Sequence, residues 1–80
     1  MNFKIAQKII DLITLEDSGK PFDFATKLNI SERMLYKYLS ELKTEFKAPI
    51  RYSRQKKTYF FDGKGELVLR WQEKIKVLPE

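Results

Sequence analysis

The sequence contains neither cysteine nor histidine, and these two absences remove much of the usual catalytic and metal-binding chemistry. Without cysteine the chain has no disulfide, no thiolate zinc site and no cysteine nucleophile. Without histidine it lacks the commonest general base and the commonest metal ligand. The carboxylates are scattered among lysines, as on a solvated surface. We therefore predict that the protein is not an enzyme, and we expect no metal, cofactor or small-molecule ligand.

Long apolar runs are also missing. Lys4 and Lys8 interrupt any apolar segment at the N-terminus that could act as a signal peptide, and no other run approaches membrane-spanning length. These features predict a cytoplasmic protein without a membrane partner. Hydrophobic residues still make up 42% of the 80 residues, which is enough for the core of one small domain. We expect a single domain over residues 1–80.

Positive charge is concentrated in one stretch of the chain. The formal net charge is +5, yet residues 1–30 and residues 62–80 each carry equal numbers of basic and acidic side chains. Residues 48–61 contain no acid, and their four basic residues are Arg51, Arg54, Lys56 and Lys57. A local net charge of +4 indicates that this stretch faces an anionic partner.

The first element is a helix over residues 3–18. Its apolar stripe repeats at three- and four-residue steps through Ala6, Ile9, Ile10 and Ile13. Gly19 is the expected C-cap, and the following proline prevents simple continuation. Further apolar residues widen the stripe, so this helix is either surrounded by core or forms a dimer contact.

Two more helices follow, separated by a short break. Residues 23–28 predict a short helix with Asp23 as its N-cap, and Ser31 is a favoured N-cap for a longer helix over residues 31–47. Asn29 tolerates the left-handed backbone that the turn between them needs. Pro49 ends the third helix. The buried stripe of this helix is expected to consist of Leu35, Tyr38, Leu39, Leu42 and Phe46.

The spacing of apolar residues changes after Pro49, from the three- and four-residue steps of a helix to the alternation of a strand. Strand-favouring residues over 50–54 and 58–62 flank a polar link, which predicts a β-hairpin whose turn lacks glycine and asparagine. A second turn follows at residues 62–65. Residues 66–72 favour a third antiparallel strand, with a helix as the alternative, and residues 73–80 form a tail. The predicted fold class is therefore α+β, a three-helix helix-turn-helix core followed by a β-hairpin wing.

The segments FATKLNISERMLYKYLSEL and APIRYSRQKKTYFF together resemble the winged helix-turn-helix DNA-binding domain. The likeness covers roughly residues 3–62, and it is greatest to the N-terminal domains of bacterial repressors of the deoxyribose-operon and biotin-repressor types. It implies that the third helix enters the major groove and that the wing touches DNA backbone or minor groove. Family members usually have glycine at Asn29 and often paired arginines at Tyr36-Lys37, so this chain leaves its target sequence open.

The outer surface of the third helix supplies the candidate recognition residues, because side chains near the start of such a helix reach base edges. These residues are Ser31, Glu32, Arg33, Met34, Tyr36, Lys37, Ser40 and Lys43. The candidate wing residues are Arg54, Gln55, Lys56 and Lys57.

Side-chain chemistry suggests a role for several of these residues. Arg33 matches guanine O6 and N7, and Met34 or Tyr36 could touch a thymine methyl group. Glu32 either accepts from cytosine N4 or only favours the positive end of the helix. Lys37, like Lys43 and Ser31, suits phosphate contacts.

The predicted function is sequence-specific binding of double-stranded DNA by a small bacterial transcription regulator, with a homodimer reading two half-sites. Two alternatives remain open. One is a winged-helix protein-interaction module that has lost DNA binding and uses an apolar patch around Trp71, Ile75 and Leu78. The other is an RNA-binding or architectural protein, which a basic wing permits equally well.

Overall fold

Three helices precede a two-stranded antiparallel hairpin in the computed structural model, which describes residues 2–67 and residue 69. The helices are α1 (Phe3–Thr14), α2 (Pro21–Leu28) and α3 (Glu32–Glu45), and the strands are β1 (Ile50–Ser53) and β2 (Thr58–Phe61). This is an α+β, winged-helix-like arrangement, as predicted. None of the helices in this part of the chain combines the length and the apolar character that crossing a membrane requires.

Helix α1 is capped at its start and ends earlier than predicted. The Oδ1 of Asn2 accepts hydrogen bonds from the backbone N–H groups of Lys4 and Ile5, at 2.9 and 3.2 Å. The predicted stripe from Ala6 to Ile13 is buried. However, the helix ends at Thr14 rather than at residue 18, and Gly19 is not its cap. The chain turns away through Glu16, at a φ of 54°, and this turn carries the following segment to β2.

Helix α2 begins two residues earlier than predicted. Pro21 occupies the first turn, where its missing N–H is not needed and its fixed φ suits a helix. The N-cap is Lys20, and Asp23 lies inside the first turn, so the prediction that Asp23 caps the helix is wrong. A carboxylate in this position still stabilises the positive end of the helix.

The turn after α2 has the geometry expected of Asn29. That residue adopts left-handed backbone with φ 58° and ψ 44°. The N–H of Asn29 donates to the carbonyl of Thr26, and the N–H of Ile30 donates to the carbonyl of Ala25, each at 3.0 Å. This pair of bonds is a Schellman motif, which satisfies carbonyls at the end of α2. The chain is thereby redirected into α3 within three residues.

Helix α3 begins as predicted and ends two residues sooner. The Oγ of Ser31 accepts a hydrogen bond from the N–H of Met34 at 3.0 Å, which makes Ser31 the N-cap. The helix stops at Glu45, and Lys47 adopts left-handed backbone with φ 54°. Phe46 is 42% exposed, so its predicted place in the buried stripe is wrong. It lies at the C-cap, where the chain is already leaving the helical path.

The strands of the hairpin are each one residue shorter than predicted. Ile50 pairs with Phe61 and Ser53 pairs with Thr58, leaving four residues in the connecting loop. The rings of Tyr52 and Tyr59 make an edge-to-face contact across the strands, with centroids 4.9 Å apart. Tyr59 also contacts Phe24 of α2, at 5.6 Å between centroids. The hairpin is thus joined to the helical core through aromatic side chains.

The core lies between the three helices and the inner face of the hairpin. Its buried hydrophobic residues are Ala6, Ile9, Ile10, Ile13, Phe24, Ala25, Leu28, Leu35, Tyr38, Leu39, Leu42, Ala48, Ile50 and Tyr59. The hydroxyl of Tyr38 accepts a hydrogen bond from the N–H of Asn2 at 3.1 Å, which connects α3 to the start of α1.

The third strand expected over residues 66–72 is absent at Glu66, Leu67 and Leu69, the described positions of that range. The rest of that range and residues 73–80 lie outside the described residues. Leu67 and Leu69 instead pack, partly buried, against the core. A side chain from the α1–α2 link also reaches β2: the Oγ of Ser18 accepts from the N–H of Tyr59 at 2.9 Å.

Candidate nucleic-acid interface

All eight candidate residues on and just before α3 are exposed to solvent. The opposite side of the helix, from Leu35 to Leu42, is buried against the core. Arg33, Tyr36, Lys37 and Ser40 follow one another at steps of three, one and three residues, so they share one face. Helix packing therefore leaves a continuous polar face open to a partner.

The start of α3 offers hydrogen-bond donors as well as positive partial charge. Backbone N–H groups in the first turn of a helix have no partner within the helix, which makes the N-terminus favourable for anions. The Oγ of Ser31 already accepts the bond from Met34, but its own O–H can still donate to a phosphate oxygen. Glu32 lies in the same turn and brings a negative charge to this end of the helix.

Tyr59 of the hairpin lies near this face and was not among the predicted site residues. Burial, followed by the neighbouring Tyr36, Tyr52 and Glu32, raises the pKa of Tyr59 to about 12. Tyr36 and Glu32 belong to the exposed face of α3, so Tyr59 lies within electrostatic range of that face. The sequence carries a signal for the Tyr52–Tyr59 pair, because both fall at alternating apolar positions of the hairpin. The proximity to Glu32 depends on how the hairpin packs.

The wing loop consists of Arg54, Gln55, Lys56 and Lys57, and all four side chains are exposed. Lys57 adopts left-handed backbone with φ 55°, the conformation that glycine or asparagine usually supplies in a turn. Its N–H donates to the carbonyl of Ser53 at 2.7 Å, and the N–H of Lys56 donates to the Oγ of Ser53 at 3.0 Å. Ser53 therefore organises a turn whose sequence lacks the usual turn residues.

The four cations of the basic stretch are not equivalent in the structure. The Nη1 of Arg51 lies 3.0 Å from the Oδ2 of Asp62, and the Nζ of Lys56 lies 3.3 Å from the Oε1 of Glu16. Arg54 and Lys57 have no ion-pair partner among the described residues. The local charge of +4 is thus partly balanced by two acids from outside the stretch.

Glu16 and Asp62 were not recognised from the sequence as part of this surface. Asp62 lies diagonally across from Arg51, because Arg51 pairs with Phe60 in the observed register, whereas the sequence predicts strand bounds but no register. Glu16 is 40 residues from Lys56, and no local pattern connects them. Within the described residues, no group of three or more acidic side chains is arranged to hold a metal ion.

Comparison with known protein families identifies a matching family. A family model described as the M protein trans-acting positive regulator (MGA) HTH domain matches residues 4–58. The matched range contains nearly all of α1, then α2, α3, β1 and the wing loop, and ends at the first residue of β2. No curated protein and no solved structure gives a significant match. Because the matched range exceeds half of the chain, this protein belongs to the family of MGA helix-turn-helix domains, a family of DNA-binding regulatory domains.

Proposed function

We propose that this domain binds double-stranded DNA sequence-specifically, with α3 in the major groove and the wing on the backbone or minor groove. The observation that carries the proposal is the continuous exposed face of α3, with Arg33, Tyr36, Lys37 and Ser40 on a helix held by a helix-turn-helix. A helix presented in this way fits the major groove, which is about 12 Å wide. The basic wing loop, on the same hairpin as Tyr59, adds phosphate contacts.

The side chains of α3 divide into base-reading and phosphate-binding groups. Arg33 is the best candidate for base reading, because its guanidinium matches guanine O6 and N7 with two parallel hydrogen bonds. Met34 and Tyr36 are 43% and 49% exposed and offer apolar surface to a thymine methyl group. Lys37 and Lys43 are suited to phosphates, together with the free O–H of Ser31.

The biological setting of the proposal is a transcription regulator in the bacterial cytoplasm. One small domain buries only a limited protein–DNA interface, and a homodimer that reads two half-sites would enlarge it. Membership in a family of DNA-binding regulatory domains supports a regulatory rather than an enzymatic role. The closer likeness to the deoxyribose-operon and biotin-repressor types stays a prediction.

Titration of the protein against random duplex DNA at several salt concentrations tests the proposal. Each phosphate contact contributes about 0.9 to the slope of log affinity against log salt. Replacing Arg54, Lys56 and Lys57 together by alanine should flatten this slope. Lys8→Ala removes a similar exposed charge from α1 and serves as the control. Absence of salt-dependent binding to duplex DNA would refute the proposal.

Selection of duplexes from a random pool then tests base reading. Arg33→Ala should reduce the free energy of binding to the selected duplex by about 1–3 kcal/mol, which is the discrimination that a bidentate base contact provides. It should also relax the base preference at one position of the DNA site. Lys43→Ala is the comparison, because the loss of a phosphate contact lowers the affinity for all duplex sequences nearly equally. If Arg33→Ala lowers the affinity for every duplex sequence equally, Arg33 contacts the DNA phosphate backbone and not a base.

A protein-interaction module is the second candidate function. Three large apolar side chains on the first two helices and their link are strongly exposed: Phe3 at 65%, Leu15 at 71% and Phe22 at 67%. The predicted apolar patch around Trp71, Ile75 and Leu78 lies outside the described residues. Binding that does not depend on salt, or no binding to duplex DNA, would favour this candidate. Competition by duplex RNA at equal affinity would favour the RNA-binding alternative.

A further inference from the structure

One acidic residue outside the hairpin contacts the tip of the wing. Glu16 lies in the link between α1 and α2, and its Oε1 is 3.3 Å from the Nζ of Lys56. Glu16 adopts left-handed backbone with φ 54°, an uncommon conformation for a side chain of its size. Two residues later, Ser18 is hydrogen-bonded to β2, so the link is attached to the hairpin beside Glu16. The backbone that carries this carboxylate is therefore held beside the wing by the fold.

The Glu16–Lys56 pair is exposed and can be displaced. The two side chains are 44% and 68% exposed, and an ion pair of this kind contributes little in water. A DNA phosphate that other contacts hold against the wing can therefore take the place of the carboxylate at Lys56. Until it does so, the Nζ of Lys56 is partly neutralised, and the Glu16 charge repels any backbone that approaches the same atom.

Arg54 and Lys57 differ from Lys56 in this respect. Both are exposed in the same four-residue loop, and neither has an acidic partner within the described residues. They are free to contact the phosphates of any duplex. Arg51 resembles Lys56, because Asp62 occupies its guanidinium at 3.0 Å.

We infer that Glu16 is a specificity-determining residue that withholds Lys56 from non-specific DNA. Random duplex DNA then makes phosphate contacts with Arg54 and Lys57 only. At a specific site, the contacts of α3 with the bases bring the DNA backbone against the wing, and a phosphate there displaces Glu16 from Lys56. Since phosphate contacts supply nearly all non-specific binding, withholding one raises the ratio of specific to non-specific affinity. This inference rests on the proposed DNA-binding function.

The test compares Glu16→Gln with Asp17→Asn on random duplex DNA over a range of salt concentrations. Asp17 is the matched control, because it is the adjacent residue and its carboxylate lies 4.0 Å from Lys27 of α2, not from a wing cation. Glu16→Gln should tighten random-duplex binding by up to about 5-fold, the release of one exposed ion pair. It should also steepen the salt slope by about 0.9, one further phosphate contact. Asp17→Asn should produce a smaller gain and no such change in slope.

Two further measurements separate the inference from a general charge effect. The gain from Glu16→Gln should disappear in a Lys56→Gln background and should be smaller on a selected duplex than on random duplex. An equal gain for Asp17→Asn, a gain that persists without Lys56, or an equal gain on both duplexes would overturn the inference. Failure of the wild-type protein to show salt-dependent DNA binding would instead overturn the proposed function.

Discussion

Replacing Ser18 by alanine tests how the hairpin is attached to the helices. The Ser18 side chain is fully buried, and its Oγ accepts from the N–H of Tyr59 at 2.9 Å and shares a hydrogen bond with the Oγ1 of Thr58 at 3.1 Å. The N–H of Ser18 donates to the same Oγ1, also at 3.1 Å. Alanine at position 18 leaves the Tyr59 N–H in place but removes its acceptor.

The expected loss of stability follows from that orphaned group. A buried donor without a partner costs about 1–3 kcal/mol, so we expect the free energy of unfolding to fall by about 2 kcal/mol. Thr58 is less affected, because its hydroxyl can still donate to the carbonyl of Tyr59 at 3.0 Å. A change of that size lowers the Tm of a domain this small by about 8–16 °C. It is also a large fraction of the total stability expected for 80 residues.

Urea denaturation and thermal melting followed by circular dichroism measure this change. Ser40→Ala is the matched control, because Ser40 is exposed on α3, and its cost should stay below about 0.5 kcal/mol. A double-mutant cycle with Thr58→Val should show a coupling of at least about 0.5 kcal/mol, since the two hydroxyls belong to one network. A loss below about 0.5 kcal/mol for Ser18→Ala, or strict additivity with Thr58→Val, would refute the argument.

Three further predictions concern the turn, the cap and the buried tyrosine. Asn29→Ala should lower the free energy of unfolding by about 1–2 kcal/mol in urea denaturation, because alanine is strained in left-handed backbone. Asn29→Gly should be tolerated, and equal losses for the two variants would argue against that cause. Ser31→Ala should cost about 1 kcal/mol by the same measurement, since the N–H of Met34 loses its acceptor, and Ser31→Asp should retain most of the stability. The pKa of Tyr59 is about 12 in the folded protein and about 10 when unfolded, so the stability that its protonated form contributes is complete below pH 10 and is lost as pH rises through 12. Base-induced unfolding followed by circular dichroism should show this loss, and Tyr59→Phe should reduce the pH dependence; an unchanged profile would contradict the assignment.

Local interactions made much of the architecture predictable. The spacing of Ile9, Ile10 and Ile13 identified the buried side of α1, because residues three and four apart share a helix face. Ser31 and Asn29 identified the boundary between α2 and α3, since a cap and a left-handed turn each need particular side chains. The change to alternating apolar residues after Pro49 identified the hairpin. The exposure of the α3 candidate residues follows from the same helical period, while their contacts with DNA remain a proposal.

Other features depend on segments far apart in the chain. The helical pattern of α1 appeared to continue beyond Thr14, but burial of Ser18 against β2 requires the chain to leave the helix first. Phe46 matched the apolar stripe of α3, yet the helix ends before it and leaves it partly exposed. The pattern over residues 66–72 predicted a strand that is not present at its described positions. Apolar periodicity shows which side of a segment is buried but not where an element must stop to meet another.

The amino-acid sequence by itself determined the helical and strand periods, the cap at Ser31, the turn at Asn29 and the excess of basic residues over 48–61. These features depend on neighbours within a few residues, so they can be recognised without a fold. Tertiary structure decided which of those charges are free, because Glu16 meets Lys56 only after the α1–α2 link has docked on the hairpin. An ion pair depends on the distance between two atoms in space, and across 40 residues only the folded chain sets that distance.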